Sequence, residues 1–399
     1  MTPASEGGTV AGALDGIRVV DLSWGRAGPL ATGQLADHGA DVTRVEPPGG
    51  DPYRSVVARA AYDRGKRSLV LDLDQPGGRD VLDRLLADAD VLVESFQPGV
   101  ADRLGLGFET LHRRYPRLVY CSISGYGQDG PDRDRPGYES LVAARTGVMA
   151  QGGGPGGDPV YPGVPIGSTG AGLLAVIGIM AALVQREDTG VGQHVDTSMV
   201  DGTLSFMNMF WEELERLPDS PGVSALRPNR RLLVGSMRCG DGEYLGVHTG
   251  ANGSYGRLME ALGLSDRVSP APGNREKTVP LTDEEAEVVS REVPRLFASR
   301  PRDEWRERLR AADVCAIPVL RQGEALSEPQ TVHNEVVIEL DDPELGLVTQ
   351  LGVAARLSAT PGRVRGPAPR VGEHTEEILH ELGYDDAVVA GLRGDGAIG

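Results

Sequence analysis

Residues 159–201, PVYPGVPIGSTGAGLLAVIGIMAALVQREDTGVGQHVDTSMVD, constrain this chain more than any other stretch. They read as a glycine-punctuated loop, a long helix of small residues over 169–186 and a stop at Gly190 and Gly192. A returning strand follows, then a second helix start where Ser198 and Asp201 form an N-terminal capping pair. Gly170, Gly172, Gly178, Ala175, Ala181 and Ala182 leave the long helix bare. A helical glycine costs about 1 kcal/mol against alanine, so other elements must pack closely enough to offset it. Ser168 stands at the mouth of this helix, where an N-cap is its plainest role and contact with a ligand a compatible one.

The N-terminal part supplies the layer against which such a helix packs. Residues 17–22 (IRVVDL) form a buried strand. After the loop SWGRAG, Pro29 opens a helix as an N1 proline that runs to His38 and stops at Gly39, and residues 41–46 (DVTRVE) are the next strand. This βαβ unit predicts a parallel sheet with a right-handed crossover. Further strands at 68–73, 90–94 and 118–123, with an amphipathic helix at 76–87, extend it to a doubly wound α/β domain. Glu46 ends the second strand as an acid would in a dinucleotide fold, but Gly25, Gly28 and Gly33 do not have the G-x-G-x-x-G spacing.

A length of 399 residues allows two domains. Composition shifts after Leu217, where LPDSPGVSALRPN reads as a linker, so the chain divides into 1–217, a smaller α+β region at 218–325, and 326–399. The smaller region holds a hairpin turning at Asp241-Gly242, helices near 254–262, 283–299 and 303–312, and a strand at 314–320. Strands at 336–340 and 347–351 and an amphipathic helix ending at Gly383 complete the chain. The run GGGPGG at 152–157 is either a mobile site edge or a linker.

The net charge of −18 excludes nucleic acid, which requires a basic face, but leaves room for a small anion held by a local patch. Residues 51–67 collect Arg54, Arg59, Arg64, Lys66 and Arg67 between two strands. That run is either a solvated face or a strand-end loop suited to phosphate groups. Three cysteines without disulfide or CxxC spacing point to a reducing cytoplasm. The first twelve residues lack the basic and apolar regions of a signal peptide, and the apolar run 173–184 is too short for a membrane span. The seven histidines fall into no metal-ligand spacing, and neither G-x-S-x-G nor a P-loop occurs. From the residues alone the chain is a two-domain α/β enzyme with an anion-binding loop.

Taken in order, LDGIRVVDLS, AGP, GADVTRVEPPGGDPYR, GKRSLVLDL, ADVLVESFQPGVADRLGLG, PRLVYCSISGYGQDGP, TGVGQHVDTSMVDG and APRVGEHTEEILHELG resemble the class III CoA-transferases. That family includes formyl-CoA and carnitine CoA-transferases and α-methylacyl-CoA racemases. The resemblance implies a Rossmann-like large domain built from both chain ends, a smaller inserted domain and a cytoplasmic homodimer whose two chains interlock. It implies coenzyme A or acyl-CoA as substrate rather than a permanently bound cofactor, with a small carboxylic acid or other acyl acceptor as partner. CoA contacts would come from Arg26, Ala27, Leu71, Asp72, Leu73, Asp74, Ser95, Phe96, Gln97 and Arg103. Arg103 has a structural alternative as a salt-bridge partner of Asp102 or Glu109.

Transferases of this family use an aspartate whose carboxylate attacks the acyl-CoA thioester to give a mixed anhydride. The matching position here is Ser168, and the racemase His/Asp pair matches Tyr138-Glu139 and Ser168. The catalytic set implied by the resemblance is therefore Ser168, Glu139 and Tyr138. Serine gives only an ordinary ester, which holds too little activation to return CoA. Three readings follow: altered acyl-CoA chemistry such as acyl transfer or epimerisation through Glu139 or Ser168, a transferase whose aspartate has been substituted, or a CoA-binding subunit without catalysis.

Overall fold

The computed structural model describes residues 11–152, 158–207, 231–270 and 279–399. The first ten residues, most of the 152–157 glycine run and the 217–229 linker lie outside them. The chain forms two compact units, one of Met1–Phe210 with Pro329–Gly399 and one of Trp211–Glu328.

The first unit is built on a six-stranded parallel sheet in the order β3-β2-β1-β4-β5-β6. Its strands are β1 (Arg18–Asp21), β2 (Asp41–Glu46), β3 (Arg67–Val70), β4 (Val91–Glu94), β5 (Val119–Ser124) and β6 (His194–Ser198). Crossover helices are α1 (Ala27–Asp37), α2 (Arg59–Tyr62), α3 (Pro76–Ala87), α4 (Val100–Arg103) and α5 (Phe108–Arg114). Between β5 and β6 run α6 (Glu139–Arg145), α7 (Val148–Gly152) and α8 (Ile166–Thr189), and α9 (Met199–Phe206) follows β6. Strand residues alternate between two cores. Val19, Val42, Val91 and Val119 pack with Leu35, Ala171, Ala175 and Ile179 on one face. Val20, Leu69, Leu92 and Tyr120 pack with Val81, Leu82, Leu111, Ile378 and Leu379 on the other. Both faces are covered, as an all-parallel sheet requires.

Helix α8 explains its own composition. Its glycines let neighbouring backbones approach: at Gly170 an added Cβ would stand 2.6 Å from the Gly202 carbonyl oxygen of α9. At Gly172 an added Cβ would stand 2.8 Å from the Ala27 carbonyl oxygen of α1. The helix begins at Ile166 rather than 169, with Pro165 at the N-cap and Ser168 as its third residue. Ser168 is therefore not the N-cap. At 24 residues α8 is long and apolar enough to cross a membrane by length and composition, and half of that apolar window is buried within the protein. Leu173, Ile177 and Val184 form an exposed apolar stripe on it. Pro29 is likewise the third residue of α1, not the first.

The second unit contains the antiparallel sheet β7 (Val234–Arg238), β8 (Tyr244–His248) and β9 (Cys315–Pro318), with Gly242 at positive φ in the hairpin turn. Helices α10 (Ser254–Ala261), α11 (Asp283–Phe297) and α12 (Arg302–Ala311) close it over a core around Tyr255, Leu245 and Phe297. Thr282 and Glu285 make a capping box on α11.

After Pro329 the chain rejoins the first unit through α13 (Pro329–His333), the hairpin β10 (Val337–Asp342) and β11 (Gly346–Leu351), α14 (Thr375–Glu381) and α15 (Asp386–Gly394). The last residues lock onto β3: Leu71 bridges Ile398, and the Asp72 amide donates to the Ala397 carbonyl at 3.0 Å.

Candidate active site

The strand order reverses between β1 and β4, and in open α/β sheets the crevice at the carboxyl ends of such strands is where ligands bind. Beyond these ends lies a cleft of about 600 Å³. The β1–α1 loop and the loop after β4 form its floor, and they are tied together by one hydroxyl. Ser95 Oγ accepts from the Trp24 amide at 2.7 Å and donates to the Trp24 carbonyl at 3.1 Å. Trp24 meets Phe96 edge to face with centroids 6.1 Å apart. The two aromatic rings give the cleft an apolar edge beside polar loops, the composition of a small-molecule site.

Of the expected residues, the cleft gathers Arg26, Ala27, Ser95, Phe96, Gln97, Tyr138, Glu139 and Ser168. Leu71, Asp72, Leu73, Asp74 and Arg103 are not among its lining residues. Leu71 is buried against the C-terminal bridge, Leu73 joins the core beneath α3, and Asp72 holds the Asp74 amide at 2.9 Å in a turn. Arg103 is exposed, its guanidinium beside Gly99 together with that of Arg133. Neither Asp102 nor Glu109 pairs with it among the described residues. Trp24, Tyr53, Arg135 and Tyr161 also line the cleft and were not expected. The signal for Trp24 was an aromatic residue in the first strand-end loop.

The basic run at 51–67 is neither a solvated face nor a free phosphate cradle. Its charges are paired with carboxylates, deep inside the protein for Arg64 and Lys66 and with partly exposed partners for Arg59 and Arg67. Arg54 pairs with Glu46, Arg59 with Glu344, Arg64 with Asp37 at 2.6 Å, and Arg67 with Asp41 at 2.8 Å and Glu381 at 2.7 Å. Lys66 is fully buried between Asp21 and Asp63, each at 3.0 Å, and Arg44 joins Asp63 to Asp51. Burial would raise the Asp21 carboxyl, but the Lys66 and Arg44 charges and hydrogen bonds from Ser23 and Thr32 hold it below the ordinary carboxylate value. Arg54 and Arg59 still line the cleft. Arg26 is different: among the described residues it has no carboxylate partner, only the face of Tyr62 at 6.0 Å.

At the far wall the start of α8 meets the start of α6. The first amides of a helix have no partner within the helix. Here the Glu139 carboxylate supplies it. Oε1 accepts from the Gly167 amide at 2.7 Å, while Oε2 accepts from the Ser168 amide at 2.9 Å and Ser168 Oγ at 2.5 Å. The positive end of the α8 dipole faces the same carboxylate. Ser168 is buried, Glu139 is half-buried, and Tyr138 at the N-cap position of α6 is exposed.

Beneath the Ser95–Gln97 loop lies a buried acid. Burial, with minor repulsion from Asp196 and Asp102, pushes the Glu94 carboxyl up to about 7, although Ser122 and the Phe96 amide hydrogen-bond to it. The Phe96 amide donates to Oε2 at 2.7 Å, and Ser122 Oγ is 2.9 Å from His194 Nε2. Burial also pushes the His194 imidazole down and the Asp196 carboxyl up.

Comparison with known proteins agrees with this geometry. Residues 14–375 match the profile of CoA-transferase family III. Human succinyl-CoA:glutarate CoA-transferase is 30% identical over 96% of this chain and 90% of its own. Human α-methylacyl-CoA racemase is 34% identical over 96% of this chain and 97% of its own. A CAIB/BAIF family protein of Brucella suis, solved by crystallography, superposes with a TM-score of 0.75 at 30% identity, covering 94% of this chain and all of that one. A doubly wound sheet, a cleft at its switch point and a match along nearly the whole chain lead to one conclusion: the chain belongs to CoA-transferase family III.

Proposed function

We propose that this protein moves CoA between an acyl-CoA and a small carboxylic acid in the cleft between Trp24 and Tyr138. The observation that carries the reading is the Glu139 carboxylate held at the α8 N-terminus within that cleft. CoA transfer between two acids needs a group that accepts an acyl unit without losing its activation to water, and a carboxylate can form the required anhydride. Ser168 and Tyr138 stand at the same reacting end. Arg26 and Ala27 with Ser95, Phe96 and Gln97 would hold the CoA portion. Arg26 supports this because its charge is not already neutralised among the described residues, and a phosphate-bearing ligand calls for such a cation. Asp74 and Arg103, both exposed, would then serve parts of CoA that extend beyond the cleft.

Racemisation is the alternative the human relative suggests. Moving a proton from one face of a carbon to the other calls for a base on each side. Asp51 and Asp63, the remaining carboxylates of the cleft, are buried in ion pairs, so transfer is the better reading. The exposed Leu173, Ile177 and Val184 stripe on α8 supports the homodimer implied by the family resemblance. The three widely spaced cysteines support a cytoplasmic protein, and the family resemblance supports acyl-CoA as a substrate with no permanently bound cofactor.

The test is to incubate the purified protein with a panel of acyl-CoA thioesters and carboxylic acids in deuterated water and follow the thioesters by mass spectrometry. A new acyl-CoA made from the added acid is expected. Deuterium appearing at the α-carbon without any new thioester would replace transfer with racemisation. No new thioester and no acyl-CoA affinity at millimolar ligand would remove both.

A further inference from the structure

Three carboxylates line the cleft: Asp51, Asp63 and Glu139. Asp51 and Asp63 are buried and bound to Arg44, and Asp63 also holds Lys66 at 3.0 Å. Attack by either would leave buried cations unpaired, which is costly. Glu139 has no cationic partner among the described residues and is half-buried at the cleft wall. Its donors are neutral. Oε1 accepts one hydrogen bond and Oε2 two, so Oε1 keeps a lone pair for a reacting carbon.

We infer that Glu139 is the residue that carries the acyl and CoA groups covalently, with Ser168 as its positioning partner. This rests on the CoA-transfer reading above. A Glu139 carboxylate oxygen attacks the thioester carbon of the acyl-CoA, the carbon–sulfur bond breaks, and CoA leaves as the thiolate. The product is a mixed anhydride on Glu139. The thiolate then adds to the Glu139 carboxyl carbon and expels the acyl group as a free carboxylate, leaving a glutamyl-CoA thioester. The incoming acid attacks that thioester, and the released thiolate takes the new acyl group and restores the Glu139 carboxylate. No oxidant, metal or water is consumed.

The surroundings of Glu139 fit both halves of this sequence. When thiolate adds to the carboxyl carbon, negative charge gathers on a Glu139 oxygen. The Gly167 and Ser168 amides, 2.7 and 2.9 Å away at the positive end of α8, already point at these oxygens. They form a preorganised oxyanion hole. Ser168 Oγ is the rival nucleophile, since it donates its proton to Glu139 at 2.5 Å. Its ester would lie below a thioester in activation, so CoA return would be uphill. A hydroxyl at this position is better suited to holding Oε2.

The two chemistries leave different marks. The wild-type protein is incubated with acyl-CoA alone, quenched and mapped by peptide mass spectrometry, with and without borohydride. Glu139 as carrier predicts a CoA adduct on the Glu139 peptide, which borohydride converts to the alcohol. An acyl adduct on Ser168, with no CoA adduct on Glu139, overturns the inference while CoA transfer stands. Glu139→Gln is expected to lose transfer by about a thousandfold or more while still binding acyl-CoA, which shows that it has folded. Ser168→Ala is expected to retain the Glu139 adduct and to lose about tenfold to a hundredfold in rate. Glu139→Gln with wild-type transfer would overturn the inference alone. A wild-type protein that makes neither adduct nor new thioester would overturn the inference and the function together.

Discussion

Lys66→Met is expected to lower the unfolding free energy by about 3–5 kcal/mol, because it breaks a buried ionic network from one side. Lys66 is fully buried, and its three donors go to Asp21 Oδ2, Asp63 Oδ1 and the Pro29 carbonyl, each at 3.0 Å. Around it Asp21, Asp51, Asp63 and Glu46 face Arg44, Arg54 and Lys66, four acids against three bases. The substitution leaves four buried acids facing two bases. Asp21 is the residue exposed to the loss, since its lowered carboxyl depends on the Lys66 charge. The same lysine joins the end of β1 to the start of α1, so acyl-CoA affinity should fall as well. Urea unfolding of the wild type, Lys66→Met and Lys66→Met with Asp21→Asn measures the effect. The double variant should recover part of the loss, because removing the orphaned charge removes its penalty. A single-variant loss below about 1 kcal/mol would mean the network is not what holds this loop.

Glu94 has the second large effect, and its sign is opposite to that of a paired acid. Its folded carboxyl titrates at about 7, above the ordinary 4.5. The folded state therefore binds the proton more tightly than the unfolded chain. The resulting stability is full below about pH 4.5 and is lost as pH rises towards 7. A shift of that size corresponds to roughly 3 kcal/mol. Glu94→Gln does not ionise and can still accept from the Phe96 amide. It is expected to match the wild type near pH 4.5 and to exceed it by up to about 3 kcal/mol at pH 8. Parallel stability profiles for the two proteins would show that burial does not hold the Glu94 proton. Because the Phe96 amide bonds the ionised Glu94 carboxylate more strongly than the neutral acid, the loop carrying Ser95 and Gln97 should be held less tightly at low pH.

The sheet could be read from the sequence because its signals are local. Strand β2 and helix α3 lie where hydrophobic patterning puts them, and Pro76 marks the start of α3. Helix α8 starts three residues before the position its sequence suggests, for a physical reason. Gly167 and Gly170 are poor helix formers, and only the close approach of α9 at Gly202 makes a helix there favourable. Ser168 consequently looked like a cap when it is a third-position residue whose amide and hydroxyl bind Glu139. The pairing of the basic run at 51–67 is not legible in the sequence because its partners are remote: Asp37 for Arg64, Glu344 for Arg59 and Glu381 for Arg67. Local composition carries no trace of such pairings. The family resemblance placed Glu139 and Ser168 at one site, but their mutual hydrogen bond is a product of the fold.

The proposed transfer requires acyl-CoA to react in the cleft against Glu139. A crystal structure with an unreactive acyl-CoA analogue tests it most directly. The analogue is expected across the Trp24–Ser95 floor, with its carbonyl carbon about 3–3.5 Å from a Glu139 oxygen. An analogue bound elsewhere, or bound there with its carbonyl turned away from Glu139, would contradict it.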